Sequence, residues 1–517
     1  MTEYPIHSRA FVQGLYLSEG VPSGTGILTD CVNVISDGTS LRNFEGIVSF
    51  IPSDILSVYG IDINFPFARL FSASENYLIS DDLWKFYNNT LVPESVYDYE
   101  DKSTIVGIPK NLRWSVSNFG DFWFAVNGDY CIFRDIRSRM LTEAFGDPLD
   151  PLVQKIYRTD RIKANATVKS KGRYLLGGFN TDLFGDLIQP VIPDLQSVYK
   201  VRNTPPSSFA QNTIYWSAVG GGDFYTLVDL GIRDIGHVYP SIVDSDRAIS
   251  RLLENFRIGS CGFATMSWRG PVTNMLELGD SVIVYGTDGI TSMTPAGKEY
   301  RFDDVASFGV EGYAVGGGRS EHILIDSDDT MWSITSQGIK KIGYRQHLIG
   351  QQRDRVIVYD PIRDHYYISD GNITFILTRS GLFKTSQVIG DGFVSDSGFL
   401  ALCNEINAES RMANFRLSPY NMQINEDKFV SSVHVTGEFD SGRARVWYTT
   451  RKSKEFKPSL WKRINQKGVV NINVNASDFA IEFEMVGNFD ISQITIYYSV
   501  QSKTDLRGPY ATSVPTA

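Results

Sequence analysis

The sequence predicts an all-β protein, a β-propeller followed by a C-terminal antiparallel β-sandwich-like domain, with short helical insertions. Three observations predict it. Strand-turn-strand units recur through most of the chain, their spacing is that of propeller blades, and from about Phe429 continuous apolar runs give way to alternation of apolar and polar residues.

The clearest unit is His322–Ile342, in which the apolar runs His322–Ile325 and Met331–Thr335 flank an acidic turn, Asp326–Thr330. A lone hairpin is marginal in water because it exposes too much apolar surface for the chain entropy it loses, so such copies must stack. Further copies stand at Asn76–Phe86, Asp121–Phe133, Asp280–Met293 and His365–Leu377, while Arg173–Phe179 and Thr213–Val219 read as first strands of two more. First-strand centres fall near positions 78, 124, 176, 215, 283, 324 and 368, in steps of 46, 52, 39, 68, 41 and 44. Most steps match the roughly 40–50-residue period of propeller blades. Runs such as FWFAV, VIVY and ILI describe strands covered on both faces, as blade strands are. A plain sandwich explains the hairpins but not the period.

In chain order, residues 1–50 are expected to form entry strands, with a turn at Ser36–Gly38 and a second strand from Ile47. Residues 51–428 form the propeller, interrupted near 134–173 and 239–260. The first interruption carries ten Lys/Arg against five Asp/Glu and a short helix around Leu152–Tyr157. In the second, Asp244–Phe256 reads as a helix capped by Asp244 or Ser245, with Ile249, Leu252, Leu253 and Phe256 on one face. Residues 429–500 form the sandwich, from six strands at Phe429–Asp440, Ala444–Thr449, Leu460–Ile464, Val469–Val474, Phe479–Val486 and Ile491–Val500. The polar stretch 501–517 is a tail.

Composition narrows the function. No apolar run approaches the ~20 residues of a membrane span, and the first residues lack the basic and apolar segments that direct export. Cys31, Cys131, Cys261 and Cys403 are far apart and have no histidine at ligand spacing, so they are expected to be reduced and buried. A net charge of −10 excludes a general nucleic-acid coat, and suits a surface along which nucleic acid slides without sticking.

Signatures of catalysis are missing. There is no nucleophile elbow and no zinc-binding H-E-x-x-H, and no cofactor or metal is expected. The runs Gly220–Gly221–Gly222 and Gly316–Gly317–Gly318 lack the Lys-Ser/Thr of a phosphate loop. They are candidate flexible loops near a channel, or, more plainly, tight connections between strands. Some propellers hydrolyse glycosides with paired carboxylates, and Asp81 with Asp82, Asp303 with Asp304, and Asp326 with Asp328 and Asp329 are candidates. The first and last groups lie in hairpin turns, where Asp is favoured for its hydrogen bonds to nearby backbone. Charge is unevenly spread: Ser441–Gly468 sums to +8 and Arg134–Arg173 to +5, leaving −23 on the remainder. Arg443, Arg445, Arg451 and Lys452 are therefore candidate interface residues.

The entry stretch carries a resemblance. Val32-Asn33, then Gly38, Leu41-Arg42, Phe44 and Gly46, resemble the "V-N … G-x-L-R-x-F-P-G" run that opens the packaged-DNA stabilisation proteins, the tail nozzle or tail hub of short-tailed bacteriophages. Glu45 stands where proline is common. Asn212–Asp223 is similar to that family's mid-propeller "W-S" strand and glycine turn, and Ala444–Ile464 through Ile491–Val500 to its closing sandwich. The resemblance implies a structural virion protein made in the host cytoplasm and placed in the virion tail. It implies a homohexameric ring below an adaptor ring, lining the DNA exit channel, retaining packaged DNA until ejection without reading its sequence, and holding spikes or a needle. The alternative from another class is a propeller that binds or hydrolyses glycan.

Overall fold

The computed structural model describes residues 2–135, 155–180, 211–220 and 261–500, apart from short breaks inside these stretches. The helix expected at Asp244–Phe256 and the tail 501–517 lie outside the described residues. The fold is nearly all sheet, in two compact units: one of 48–371 with 389–403, the other of 1–47, 372–388 and 404–517.

The first unit is a six-bladed propeller. Each blade is a meander whose inner strand is followed, after a short turn, by a strand buried on both faces. The first blade runs Arg69–Ser72, Asn76–Ile79, Leu83–Tyr87 and Thr90–Pro93. The second is Ser115–Phe119, Phe122–Val126, Cys131–Arg134 and Ile156–Thr159, with Val96–Asp98 added parallel to the last. Ala164–Ser170, Arg173–Phe179, Thr213–Trp216 and Gly262–Thr265 make the third. The fourth is Val272–Leu278, Ser281–Gly286, Ile290–Ala296 and Glu299–Ala306, and the fifth Val315–Gly317, Glu321–Ile325, Met331–Thr335 and Gly338–Gly343. The sixth starts with Val356–Asp360 and His365–Ser369. A hairpin, Ile389–Ser395 and Gly398–Cys403, stands between the inner strands of the sixth and first blades and closes the ring.

Three expectations are corrected here. The runs read as first strands are second strands: the inner strand lies just upstream and mixes polar with apolar residues, as in SVSNF before FWFAV and VTNMLEL before SVIVYG. Arg173–Phe179 and Thr213–Trp216 do not begin separate blades but pair with each other inside the third. The stretch 134–173 is not an insertion throughout, because Ile156–Thr159 and Ala164–Ser170 are blade strands; Ile156 and Tyr157 are extended where a helix was expected.

Aromatic side chains bridge consecutive blades. Phe71 meets Trp123 at 5.0 Å between blades one and two, Phe124 meets Tyr174 at 5.4 Å between two and three, and Trp216 meets Tyr300 at 5.3 Å between three and four. Phe308, just past the fourth blade, meets Trp332 of the fifth at 4.5 Å, and Tyr367 of the sixth faces Phe399 of the closing hairpin at 6.2 Å. Large rings suit these wedge-shaped gaps because each buries much area with few rotatable bonds.

The second unit is a curled sheet built on two long antiparallel strands, Lys428–Thr450 and Phe479–Val500, paired from Lys428↔Val500 to Tyr448↔Phe479. The sequence reading split each into two. Irregularities at Thr436/Gly437 and Phe439/Ser441 bend the pair without ending it, and Gly437, at φ 143°, passes so close to the Asp490 carbonyl that a Cβ would stand 1.9 Å from its oxygen. The domain boundaries also differ from expectation, because residues 1–47 are part of this sheet rather than a separate segment of entry strands. Thr2–His7 pairs with Phe479–Val500, Leu28–Val32 pairs with Ala413–Leu417, and Leu41–Asn43 pairs with Val34–Ser36 and reaches Ile491. The strand expected from Ile47 is instead Leu41–Asn43. Helix in the described residues is confined to single turns, Ser8–Phe11 and Arg345–Leu348 among them.

Candidate functional site

Within the propeller unit the inner strands surround a cavity of about 580 Å³, within the size range of small-ligand sites. Its lining is polar because an inner strand shows alternate side chains to the axis while the others enter the blade. Those polar groups largely engage one another. Ser117 bonds to the Thr167 hydroxyl at 2.8 Å, Thr167 donates to the Leu175 carbonyl at 2.8 Å, and Ser115 donates to the Thr167 carbonyl at 3.0 Å, which ties blades two and three together. Asp391, from the closing hairpin, accepts from Arg69 at 3.0 Å and from the backbone N–H of Leu70 at 2.7 Å, which ties that hairpin to the first blade.

At this end of the cavity Arg113, just ahead of the second blade's inner strand, lies with its guanidinium 5.7 Å from the ring centre of Tyr313. Burial, together with the charge of Arg69, brings Arg113 down to about 10, and Asp391 and Tyr313 work the other way. Burial raises the Tyr313 phenol, against the pull of Arg113. Glu277, also in the lining, meets Arg319 at 3.2 Å.

The glycine candidates separate. Gly316 and Gly317 line this cavity, yet as part of an inner strand rather than as a loop, and a Cβ on Gly316 would stand 2.2 Å from the Ile357 carbonyl oxygen of the next blade. Gly318 packs on the Tyr359 ring. Gly220 turns at φ 90° in open space, its N–H donating to the Gly172 carbonyl at 2.8 Å; Gly221 and Gly222 lie outside the described residues.

The carboxylate candidates have structural engagements. Asp326 Oδ1 accepts the N–H groups of Asp328 and Thr330, both at 2.9 Å, and Oδ2 accepts the Trp332 indole N–H at 2.7 Å. Asp329 holds the buried Arg355 at 2.6 Å. Asp304 accepts from Ser267 at 2.8 Å and Thr291 at 3.0 Å, Asp303 pairs with Arg301 at 2.8 Å, and Asp81 and Asp82 occupy the turn after Asn76–Ile79. No group of three or more His, Cys, Asp or Glu fit for a metal occurs among the described residues. All four cysteines are buried and free; burial pushes the Cys31 thiol up to about 12 and Cys131 higher.

One histidine stands apart. His322, fully buried, reaches the Glu277 carbonyl through Nε2 at 2.9 Å and the Tyr285 hydroxyl through Nδ1 at 2.7 Å, joining blades five and four. A carbonyl only accepts, so Nε2 carries the proton and Nδ1 accepts from Tyr285. Burial lowers its pKa to about 4, which keeps the ring neutral.

In the curled sheet the entry-motif residues are each in use. Asn33, buried at φ 58°, accepts through Oδ1 from the Thr385 hydroxyl at 2.9 Å and from the N–H and hydroxyl of Ser386 at 2.9 and 3.1 Å, while Nδ2 donates to the Met412 carbonyl at 3.1 Å. Gly38 turns at φ 93°, and beside it Asp37 accepts from Thr39 and Ser40 and pairs with Arg42. Partial burial opposes ionisation of Asp37, but these bonds outweigh it and lower the carboxyl to about 2. Arg42 also meets Asp490 at 3.0 Å, Leu41 and Phe44 are buried, and Gly46 turns at φ 85°. The turn delivers Ile47 to Gln387, which both donates to and accepts from its backbone at 2.7 and 2.8 Å.

Three of the four interface candidates have partners within the chain. Arg443 pairs with Glu484 at 2.5 Å, Arg445 with Glu482 at 2.5 Å, and Arg451 with Asp427 at 3.5 Å. Arg443 and Arg445 also flank the Trp461 ring at 5.0 and 4.4 Å. Lys452 is exposed.

No family model and no curated protein matches the chain. Solved structures match at low identity. The Pan2 WD40 domain of Neurospora crassa is 7% identical, with a TM-score of 0.33 over 64% of this chain and 84% of that one. Hsv2 of Kluyveromyces lactis is 10% identical, TM-score 0.28, over 73% and 98%. The Cps50 (Swd1) β-propeller domain of Myceliophteria thermophila is 9% identical, TM-score 0.29, over 63% and 92%. The propeller fold itself rests on the blades described above, and such a fold hosts many unrelated functions.

Proposed function

We propose that this chain is the tail nozzle, or tail hub, subunit of a short-tailed bacteriophage. In this reading six copies close a ring below an adaptor, line the DNA exit channel, retain the genome until ejection and carry spikes or a needle. The observation that carries it is the entry motif. Asn33, Gly38, Leu41, Arg42, Phe44 and Gly46, which bear the resemblance, all have specific structural work in one connected region, the stretch that seats the chain's beginning in its C-terminal sheet. Two further features support a mechanical role: the propeller's polar lining is largely engaged in tying blades together, and aromatic pairs bridge its blades.

Because Arg443, Arg445 and Arg451 have in-chain partners, ring or adaptor contacts are better sought at the exposed lysines Lys452, Lys454 and Lys457. Negative-stain images of the purified chain test the reading. Six-fold rings are expected, reduced when these three lysines are changed to Glu. A monomer that releases sugar from host polysaccharide would overturn it in favour of the glycan reading. Against that second reading, Asp391 and Glu277, the carboxylates of the cavity lining, are both paired with arginines.

A further inference from the structure

We propose that the basic hairpin of the curled sheet, residues 451–467, is a docking surface whose partner is the acidic margin of the first propeller blade, residues 75–105, on a neighbouring copy of this chain. The inference deepens the ring reading, on which it rests, by naming the two surfaces that meet. Charge singles them out. Residues 451–467 carry seven Lys/Arg against one Glu, while residues 75–105 carry seven Asp/Glu against two Lys. In the hairpin Lys452, Lys454, Lys457, Arg463 and Lys467 are exposed and have no carboxylate partner among the described residues. In the blade Lys85 is taken up by Glu75 at 2.8 Å and Glu94 at 3.8 Å, and Asp82, Glu100 and Asp101 are exposed.

Charge alone would fit two solvated faces, but each also exposes large apolar side chains. The hairpin shows Leu460, 84% exposed, with Phe456, and the blade shows Ile105, 64% exposed, with Tyr87 and Val92. Val92 lies opposite Lys85, and Tyr87, two residues on from Lys85, shares its face, so both stand on one side of the blade's outer strands. Ile105 bridges to Tyr97 on the strand that follows them. Apolar side chains within rims of opposite charge are the make-up of a specific interface. Strand addition is disfavoured as the mode of contact, because the hairpin's edge strand Ser453–Pro458 carries Lys454, Lys457 and Pro458, which guard an edge against pairing. Side chains therefore make the contact. Neither surface complements itself, since like charges repel, so a two-fold dimer through either is disfavoured. A patch that meets a different patch of the next copy joins copies head to tail, the arrangement that closes into rings.

The test uses the full-length chain. Unlabelled and isotope-labelled protein are mixed in equal amounts while dilute, concentrated together, and treated with a carbodiimide, which joins a lysine amine to a carboxylate it touches. Peptides that link Lys452, Lys454, Lys457 or Lys467 to a carboxylate of residues 75–105 and carry both labels are expected. Two charge-reversed variants follow, one with Lys452→Glu, Lys454→Glu and Lys457→Glu, the other with Asp82→Lys and Glu100→Lys. Each alone should need about tenfold more protein or higher to assemble in sedimentation velocity. An equal mixture of the two should assemble at the wild-type concentration, since each reversed surface then meets its complement. Thermal melts check that both are folded, and if either is not, the wild-type cross-links decide. Wild-type rings in which these lysines link elsewhere, or only within one chain, would overturn the proposal and leave the ring reading standing, as would folded variants that each assemble like wild type. Links of mixed label in filaments, or in rings of another number, would support this contact and remove the six-fold reading. A wild-type chain that stays monomeric at every concentration would overturn both.

Discussion

Replacing Asn33 gives the sharpest check on how the curled sheet is held. To described residues its side chain makes four hydrogen bonds, three received at Oδ1 and one donated from Nδ2, inside a buried site at positive φ. Each such bond is worth about 1 kcal/mol net, and a partner left buried and unpaired costs more, so Asn33→Gly should destabilise by about 3–4 kcal/mol while keeping the backbone easy to form. Asn33→Ala loses the same bonds and adds the left-handed penalty of a Cβ, about 1 kcal/mol beyond glycine. Asn33→Asp retains the Oδ1 acceptor but turns a second carboxylate oxygen toward the Met412 carbonyl, and should fall between wild type and Ala. Urea unfolding followed by tryptophan fluorescence reads these as midpoint shifts at constant m. Two results would refute the reasoning: an alanine variant within about 1 kcal/mol of wild type, or a glycine variant less stable than the alanine one.

Two further outcomes follow from the propeller. His322 has a folded pKa of about 4 against an ordinary histidine value of 6.5, so the unfolded chain takes up a proton that the folded one refuses between those values. Its contribution is complete above pH 6.5 and is lost as the pH falls toward 4, by about 3 kcal/mol in all; denaturation midpoints measured across this window should fall, and His322→Gln should flatten the dependence. Gly316→Ala places a methyl group 2.2 Å from the Ile357 carbonyl oxygen, where backbone has to move, and should cost about 2–3 kcal/mol or more. Gly107→Ala, with nothing within 4 Å, should be nearly neutral, and thermal melts of the two variants compare them directly.

The hairpins were legible because their signal is local: FWFAV, SVIVYG and EHILI are continuous apolar runs bounded by turn residues, and all are strands. What the sequence hid was non-local or ambiguous in kind. The spacing between Arg173–Phe179 and Thr213–Trp216 mimics a blade period because a long connection separates two strands of one blade. Gly437, Gly442 and Gly487 look like turn residues, but a bulge needs the same conformational freedom and close backbone approach as a turn, so two long bent strands read as four short ones. The pairing of Thr2–His7 with a strand nearly five hundred residues away leaves no mark on either segment alone. Ala413–Leu417 did carry a mark, since ANFRL alternates as the later strands do, and extending the alternating region back to it would have placed the boundary nearer the observed one.

The cavity was missed for a related reason. Searching for continuous apolar runs selects the strands covered on both faces, and these are second in their blades. The inner strands fail that search because some of their side chains face the axis: SVSNF, ANATVKS and VTNMLEL mix polar with apolar residues, and each lies one short turn upstream of a continuous apolar run. A pattern of short mixed strand, turn and continuous apolar strand would therefore have assigned both strands from sequence alone. Arg113 and Trp114 would still have escaped it, since they precede their strand, and the charged groups beside Arg113, Arg69 and Asp391, come from the first blade and from the hairpin that closes the ring. Contacts assembled from strand ends in this way become visible only once the ring is closed.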